Sequence, residues 1–241
     1  MSSAGLPARL SSALAWIRGR GEYRVLVAMM AASAALWAFL VLSDEVSERA
    51  TLPIDHRLLL ALRTPGDPAD PIGPPGFEEA MRDVTALGGF TFLTFMVVVG
   101  AACLLFYRKR LQAIVLVATV LLAEATSDLL KLVYHRPRPD LVPHGSYVYS
   151  ASFPSGHSTL SATTYFTLAV ILATLEPRGR PKLFFFAVAG LLTVSVGFSR
   201  VYLGVHWPTD VLAGWTLGAI WALLARTALL LLRDEPRASE A

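Results

Sequence analysis

The sequence predicts an all-α integral membrane protein, a bundle of six transmembrane helices preceded by a short N-terminal interfacial helix. Three observations carry that prediction. Hydrophobic residues make up 54% of the 241 residues and charged residues only 16%, outside the usual range of a soluble domain. Six apolar runs, at 25–43, 90–107, 111–130, 158–175, 183–198 and 211–232, are close to the length that crossing about 30 Å of hydrocarbon demands. The basic residues behind the formal charge of +3 fall in short clusters between those runs. That pattern sets membrane topology and does not make a nucleic-acid footprint.

Taken in order, Leu6, Leu10, Leu14 and Ile17 recur at helical spacing with Arg9, Arg18 and Arg20 around them, the pattern of an amphipathic helix lying on a bilayer. Residues 1–24 are therefore expected to be a cytoplasmic N-terminus. The run at 25–43 is long for a signal-peptide core and ends without a small-x-small cleavage pattern, so it reads as an uncleaved first span. Residues 44–89 form the longest polar insertion, with a Pro/Gly-rich centre at 65–76. A connector of that length is either variable or functional, as a lid or a surface helix.

The link Arg108-Lys109-Arg110 is too short for anything but an antiparallel hairpin between the second and third runs, and its charges mark the cytoplasmic side. Arg9, Arg18, Arg20 and Arg24 before the first run agree, as do Arg178, Arg180 and Lys182 after the fourth, and Arg226, Arg233 and Arg237 at the end. With six spans both termini are cytoplasmic, and the segments around 131–157 and 199–210 share the outer face with the insertion. Cys103, the single cysteine, lies in an apolar run and reads as a small packing residue. No internal repeat and no pair of discontinuous helices is visible.

Three stretches on the outer face concentrate phosphate-binding and acid-base residues. In the first, Lys131 and Arg138 offer a point charge and a planar fork for phosphate oxygens. Pro137 and Pro139 end the helix there and extend the backbone. Taken alone, basic residues at a helix end also snorkel to headgroups. Arg136 lies outside this spacing and either shares the work of Arg138 or faces headgroups. The second stretch, Pro154-Ser155-Gly156-His157, opens a helix, where free N–H groups favour an anion and His157 is placed to pass a proton. An ordinary helix cap with a bystander histidine has the same pattern. In the third, Pro208 starts a helix that brings Asp210 back toward a ring nitrogen of His206, with Arg200 upstream. Ionisable side chains at the edge of a span are costly, by about 2.5–3.5 kcal/mol at its centre, and so are read as functional. Together the three stretches offer cations, donors and two histidines, the needs of a phosphoryl-transfer centre without metal. A zinc site built from the histidines and Asp210 is disfavoured, because three neighbouring cations repel a divalent ion. Glu124 and Asp128, one turn apart, are placed to pair with Lys131.

These stretches resemble the signature of the phosphatidic acid phosphatase type 2 and haloperoxidase family: Lys131 to Arg138-Pro139, then Pro154-Ser155-Gly156-His157, then Ser199-Arg200 to His206 to Asp210. All three match in order and spacing over 131–210, and the six-helix plan resembles the bacterial integral-membrane members. The resemblance implies that His206 attacks phosphorus to form a phosphohistidine, Asp210 orients it and His157 protonates the leaving oxygen. It further implies that Lys131, Arg138, Ser155, Gly156 and Arg200 hold the phosphate; from the residues themselves, neither a cofactor nor a metal is expected. The expectation is a single membrane-embedded domain, 1–241, in a bacterial cytoplasmic (inner) membrane with its active site on the periplasmic face. Its substrate would be a lipid phosphate such as an isoprenyl diphosphate, phosphatidylglycerophosphate or phosphatidate. The alternatives are a lipid phosphotransferase using the same site, and a non-enzymatic anion-binding protein or transporter.

Overall fold

Each of the six apolar runs falls on a helix, whose ends lie up to four residues from those of the run. The computed structural model describes residues 22–146 and 150–232. In chain order the elements are α1 (Glu22–Ser47), α2 (Leu52–Leu60), β1 (Arg63–Thr64), β2 (Asp67–Pro71), α3 (Pro75–Ala86), α4 (Phe90–Phe106), α5 (Arg110–Tyr134), α6 (Gly156–Leu175), α7 (Gly179–Tyr202) and α8 (Pro208–Leu231). The expected interfacial helix around Leu6 to Ile17, with Arg9, Arg18 and Arg20, lies outside the described residues, as do Arg233 and Arg237.

Five helices, α1, α5, α6, α7 and α8, are long and apolar enough to cross a membrane. The second apolar run departs from the simple expectation. Its helix α4 has 17 residues, about 25 Å at 1.5 Å per residue. It makes a sixth crossing only if joined to α3, from which it bends by 46°. That bent pair is a discontinuity the hydropathy pattern did not reveal, because the break at 87–89 is only three residues long.

The helices divide by burial. In the most apolar window of α6, 61% of residues are buried, against 17% in α1, so α6 runs through the middle while α1 lies at the edge. The composition of α6 follows from that position. Ser158, Thr159, Ser161, Thr163, Thr164 and Thr167 are all fully buried, small enough for close helix packing, and Thr159 and Thr163 return their hydroxyls to the carbonyls of Ser155 and Thr159. Across from them α8 presents Gly214 and Gly218. A Cβ at Gly214 would stand 2.7 Å from the Ser155 carbonyl oxygen, and one at Gly218 would stand 2.5 Å from the Ala162 Cβ. This small-residue seam brings the start of α6 against the start of α8, where the Ser155 N–H donates to the Asp210 carbonyl at 3.0 Å.

The outward faces stay apolar, as lipid contact requires: Trp37, Phe106, Leu132 and Leu183 are all exposed. Cys103 also faces outward and does not fill a core gap; α4 turns Leu93, Val97 and Leu104 inward instead.

The 44–89 insertion is folded. It holds the last turn of α1, then α2, an antiparallel two-stranded hairpin of β1 and β2, and α3, so a small sheet joins an otherwise helical chain. Leu59 packs with Val142, Val201, Trp207 and Val211. Arg63 is buried and donates to the Tyr202 carbonyl at 3.0 Å. Desolvation lowers the proton affinity of its guanidinium, with Tyr202 and Glu78 acting the other way. The insertion is thus tied to the ends of α7 and α8, above the three motif stretches.

Candidate active site

A cavity of about 230 Å³ opens where α5, α6 and α7 end or begin, lined by Lys131, Arg138, Gly156, His157, Arg200 and His206, with Glu124, Ser127 and Asp128 at one side. Sequence-distant residues meet here for local reasons. Helix α5 stops at His135, whose φ of +44° is left-handed, a conformation costing a non-glycine residue about 1–2 kcal/mol. The turn releases the chain into the segment carrying Arg136 and Arg138. Pro208 starts α8 one residue after the cap Trp207, which puts Asp210 at the third helical position, able to reach back.

His206 is 2% exposed. Arg138 Nη1 donates to its Nε2 at 3.1 Å, so that nitrogen is an acceptor facing the cavity and the proton belongs on Nδ1. The Nδ1 side meets Asp210 Oδ2 at 3.4 Å and Ser152 Oγ at 3.3 Å. Burial pulls the imidazole down to about 4, against the hydrogen bond and charge of Asp210, with Arg200 and Arg138 adding to the depression. The ring is therefore neutral at physiological pH.

Asp210 is fully buried and its carboxylate is saturated with donors. Oδ2 accepts from Ser152 Oγ at 2.5 Å and the Trp207 N–H at 2.9 Å; Oδ1 accepts from Arg136 Nη1 at 2.6 Å. Arg136 neither shares the work of Arg138 nor faces headgroups. It is buried, and its other terminal nitrogen donates to Asp55 Oδ2 at 2.7 Å. Asp55, at 0% exposure, comes from α2 in the insertion. It also accepts from the Thr209 N–H at 3.0 Å and the Thr209 hydroxyl at 2.7 Å.

The remaining cations line the cavity. Arg138 donates further to the carbonyls of Val205 at 2.7 Å and Ser150 at 2.8 Å; burial lowers its proton affinity, with Asp210 opposing. Arg200 is 2% exposed, donates to Thr85 Oγ1 of α3 at 2.9 Å, and keeps its Nε buried without a hydrogen-bond partner. Lys131 Nζ bonds Asp128 Oδ1 at 2.9 Å, the pairing expected from their spacing. A Cβ at Gly156 would stand 3.1 Å from that ammonium. His157 lines the cavity on the first turn of α6. Ser155 does not line it: the residue is fully buried and its Oγ accepts from Ser158 Oγ at 3.0 Å. Among the described residues no group of three or more His, Cys, Asp or Glu side chains is arranged to hold a metal ion.

The structure thus brings together Lys131, Arg138, Gly156, His157, Arg200, His206 and, behind them, Asp210. Sequence reasoning missed Ser152, Asp55 and Thr85. The only available signals were weak, namely a serine near the Pro-Ser-Gly-His stretch and an Asp and a Thr in an insertion whose folding was not evident.

Comparison with known proteins identifies the family. The model of the PAP2 superfamily matches residues 112–233. Phosphatidylglycerophosphatase B of Bacillus subtilis (strain 168) is 35% identical over 191 residues, covering 78% of this chain and 89% of that protein. Undecaprenyl-diphosphatase of Sulfolobus acidocaldarius is 35% identical over 127 residues, covering 50% of this chain and 57% of its own length. The crystal structure of a transmembrane PAP2-type phosphatidylglycerolphosphate phosphatase from Bacillus subtilis superposes with a TM-score of 0.76 at 31% identity, covering 86% of this chain and 98% of that one. With three motif stretches converging on one cavity, a family model spanning half the chain and a relative alignable over most of both lengths, this chain belongs to the PAP2 superfamily.

Proposed function

We propose that this lipid phosphatase works through a covalent phosphohistidine on His206 and acts on a phosphomonoester or diphosphate of a membrane lipid. The observation that carries the reading is the two-sided environment of His206. Its Nε2 lone pair faces a cavity lined by cations while Asp210 and Ser152 hold the Nδ1 side. A neutral imidazole so oriented is a nucleophile.

In the proposed reaction a lipid phosphate enters and takes over the Arg138 fork from Nε2. Lys131, Arg200 and the N–H groups at the start of α6 neutralise its other oxygens. Arg200 Nε, a buried donor without a partner, gains one on binding, and leaving such a group unpaired costs about 1–3 kcal/mol. Nε2 attacks phosphorus as the bond from phosphorus to the lipid oxygen breaks, and His157 gives that oxygen its proton. The resulting imidazolium is balanced by Asp210. Water then attacks phosphorus, the phosphorus–nitrogen bond breaks, phosphate leaves and the proton from water returns to His157.

We also read the whole chain, 1–241, as one domain in a bacterial cytoplasmic membrane with its site on the outer face. The support is the positive-inside pattern. At the other end of the bundle from the site, Arg24, Lys182 and Arg226 surround a cavity of about 800 Å³, while Arg108, Lys109 and Arg110 sit at the turn between α4 and α5. Six crossings, with α3 and α4 counted as one, put both termini on the cytoplasmic side. Relatives are named for phosphatidylglycerophosphate and for undecaprenyl diphosphate, so the shared phosphate is what the cradle recognises. The test is His206→Ala in detergent, assayed on both of those lipids and on phosphatidate. A loss of about 10⁴-fold or more in a folded protein is expected, together with loss of an acid-labile phosphoenzyme; undiminished turnover would remove the nucleophile assignment.

A further inference from the structure

Arg136 sits between two fully buried carboxylates of different origin. Asp210 belongs to the motif region and Asp55 to α2, in the insertion. The guanidinium reaches Asp210 Oδ1 with Nη1 and Asp55 Oδ2 with Nη2, at 2.6 and 2.7 Å, and also donates to Thr209 Oγ1 at 2.8 Å. The Trp207 ring covers it, its centroid 5.8 Å from the guanidinium carbon. None of the atoms in this network faces the phosphate cavity, so the network does not bind substrate.

A lone Arg136–Asp210 pair would be close to neutral and would leave nothing to balance the imidazolium formed at phosphorus attack. With Asp55 on the far side, Arg136 is shared, and the group behind His206 carries one net negative charge, its two carboxylates fully buried and its guanidinium side chain 7% exposed. Charges there act far more strongly than at a surface. Buried ion pairs seldom add net stability, so a three-member chain in such a place, in contact with the histidine's partner, points to a role in the chemistry.

We propose that Asp55, reaching across from the insertion, is a positioning residue of the active site: through Arg136 it sets the net charge behind His206 and fixes the direction of the Asp210 carboxylate. This rests on the phosphohistidine reading above. It gives α2 a catalytic reason to be docked on α8, with Thr209 bridging the two at the Asp55 carboxylate.

The charged and titratable groups facing His206 are Asp210 from α8, Arg138 from the segment after α5, Arg200 from α7, His157 from α6 and Lys131 from α5; His56 of α2 lies beyond, stacked on Trp207 at 5.1 Å. Asp55 and Arg136 can be changed without touching the phosphate side. The acid limb of kcat/KM, which reports protonation of the nucleophile, is therefore the reading that separates charge from scaffold. Asp55→Asn makes the rear group neutral, and the acid limb should move down by on the order of half a pH unit, with kcat lower by about 10- to 100-fold and KM unchanged. Arg136→Gln makes the group more negative, and the limb should move up. The double variant Asp55→Asn/Arg136→Gln restores one net negative charge and should return the limb to its wild-type position. Shifts in opposite directions cannot come from loosened packing, and if one single variant fails to fold the other still carries the sign. No shift in either, or the same direction in both, overturns the proposal. His206→Ala is measured alongside: if it stays active, the phosphohistidine reading itself has failed; if it is inactive while the acid limb stays fixed, only the role of Asp55 has.

Discussion

Arg136 and Arg138 stand two residues apart on one short segment and belong to regions of opposite design. Behind the segment, Arg136 is held between Asp55 and Asp210, with every contact made to protein. In front, Arg138 keeps company with Lys131 and Arg200 around a cavity, and one of its donors rests on His206 Nε2. Pro137 and Pro139 bracket Arg138 and favour a backbone with about three residues per turn. Side chains two apart then point to different sides, which lets one segment serve both regions. The difference teaches that neighbouring arginines in a basic motif are not interchangeable: the rear one is held by two carboxylates and acts through them, the front one faces the cavity and is available to an anion.

Three measurements bear on that contrast, beginning with the largest. Replacing Arg136 by Ala leaves two buried carboxylates without their cation, and breaking such a pair costs about 3–5 kcal/mol; the expected result is a clear drop in Tm in detergent. A Tm equal to that of the wild type would mean the rear region is wetter than its burial shows. Arg138→Ala should do the reverse. Its partners are carbonyls and a ring nitrogen that water can serve, so Tm should barely move, while loss of a charged donor at the phosphate should lower kcat/KM by about 10²- to 10³-fold. Equal losses of stability in both variants would erase the distinction.

The smallest effect concerns pH. His206 is neutral in the folded protein down to about 4, well under the ordinary histidine value of about 6.5. A histidine that attacks phosphorus, as proposed for His206, must be neutral, so the acid limb of kcat/KM should fall near pH 4 and not near 6.5. The same depression has a sign for stability. Between those values the unfolded chain binds a proton that the folded protein does not, so His206 contributes a loss of stability as pH falls from about 6.5 to about 4. A limb near 6.5 would show that the imidazole is better solvated than the front region indicates.

Much of this was legible in the chain. Hydropathy located the helices to within about one turn at either end, because a span in hydrocarbon must satisfy its backbone internally and can only be a long apolar helix. Motif spacing located His157, Arg200, His206 and Asp210, since each lies within one turn of a helix end whose proline or glycine announces it. Residues 44–89 were opaque. The short α2, the hairpin and α3 carry no long period, and the contacts of Asp55 and Thr85 are with residues 81 to 154 positions away. The bend between α3 and α4 was hidden for a similar reason, as composition averages over a break of three residues.

The sequence alone therefore determined the solvent, the number of apolar runs and the chemical inventory of the site, because those depend on side-chain identity and on spacing within a helical turn. Only the tertiary structure decided which arginine faces the cavity, that Ser152 joins the His206–Asp210 pair, that Ser155 is turned into the core and that the insertion supplies the second carboxylate to Arg136. Those choices depend on how helices pack, here along the Gly214 and Gly218 seam that sets α6 against α8, and on where buried charge finds a partner. Neither is a local property of the chain.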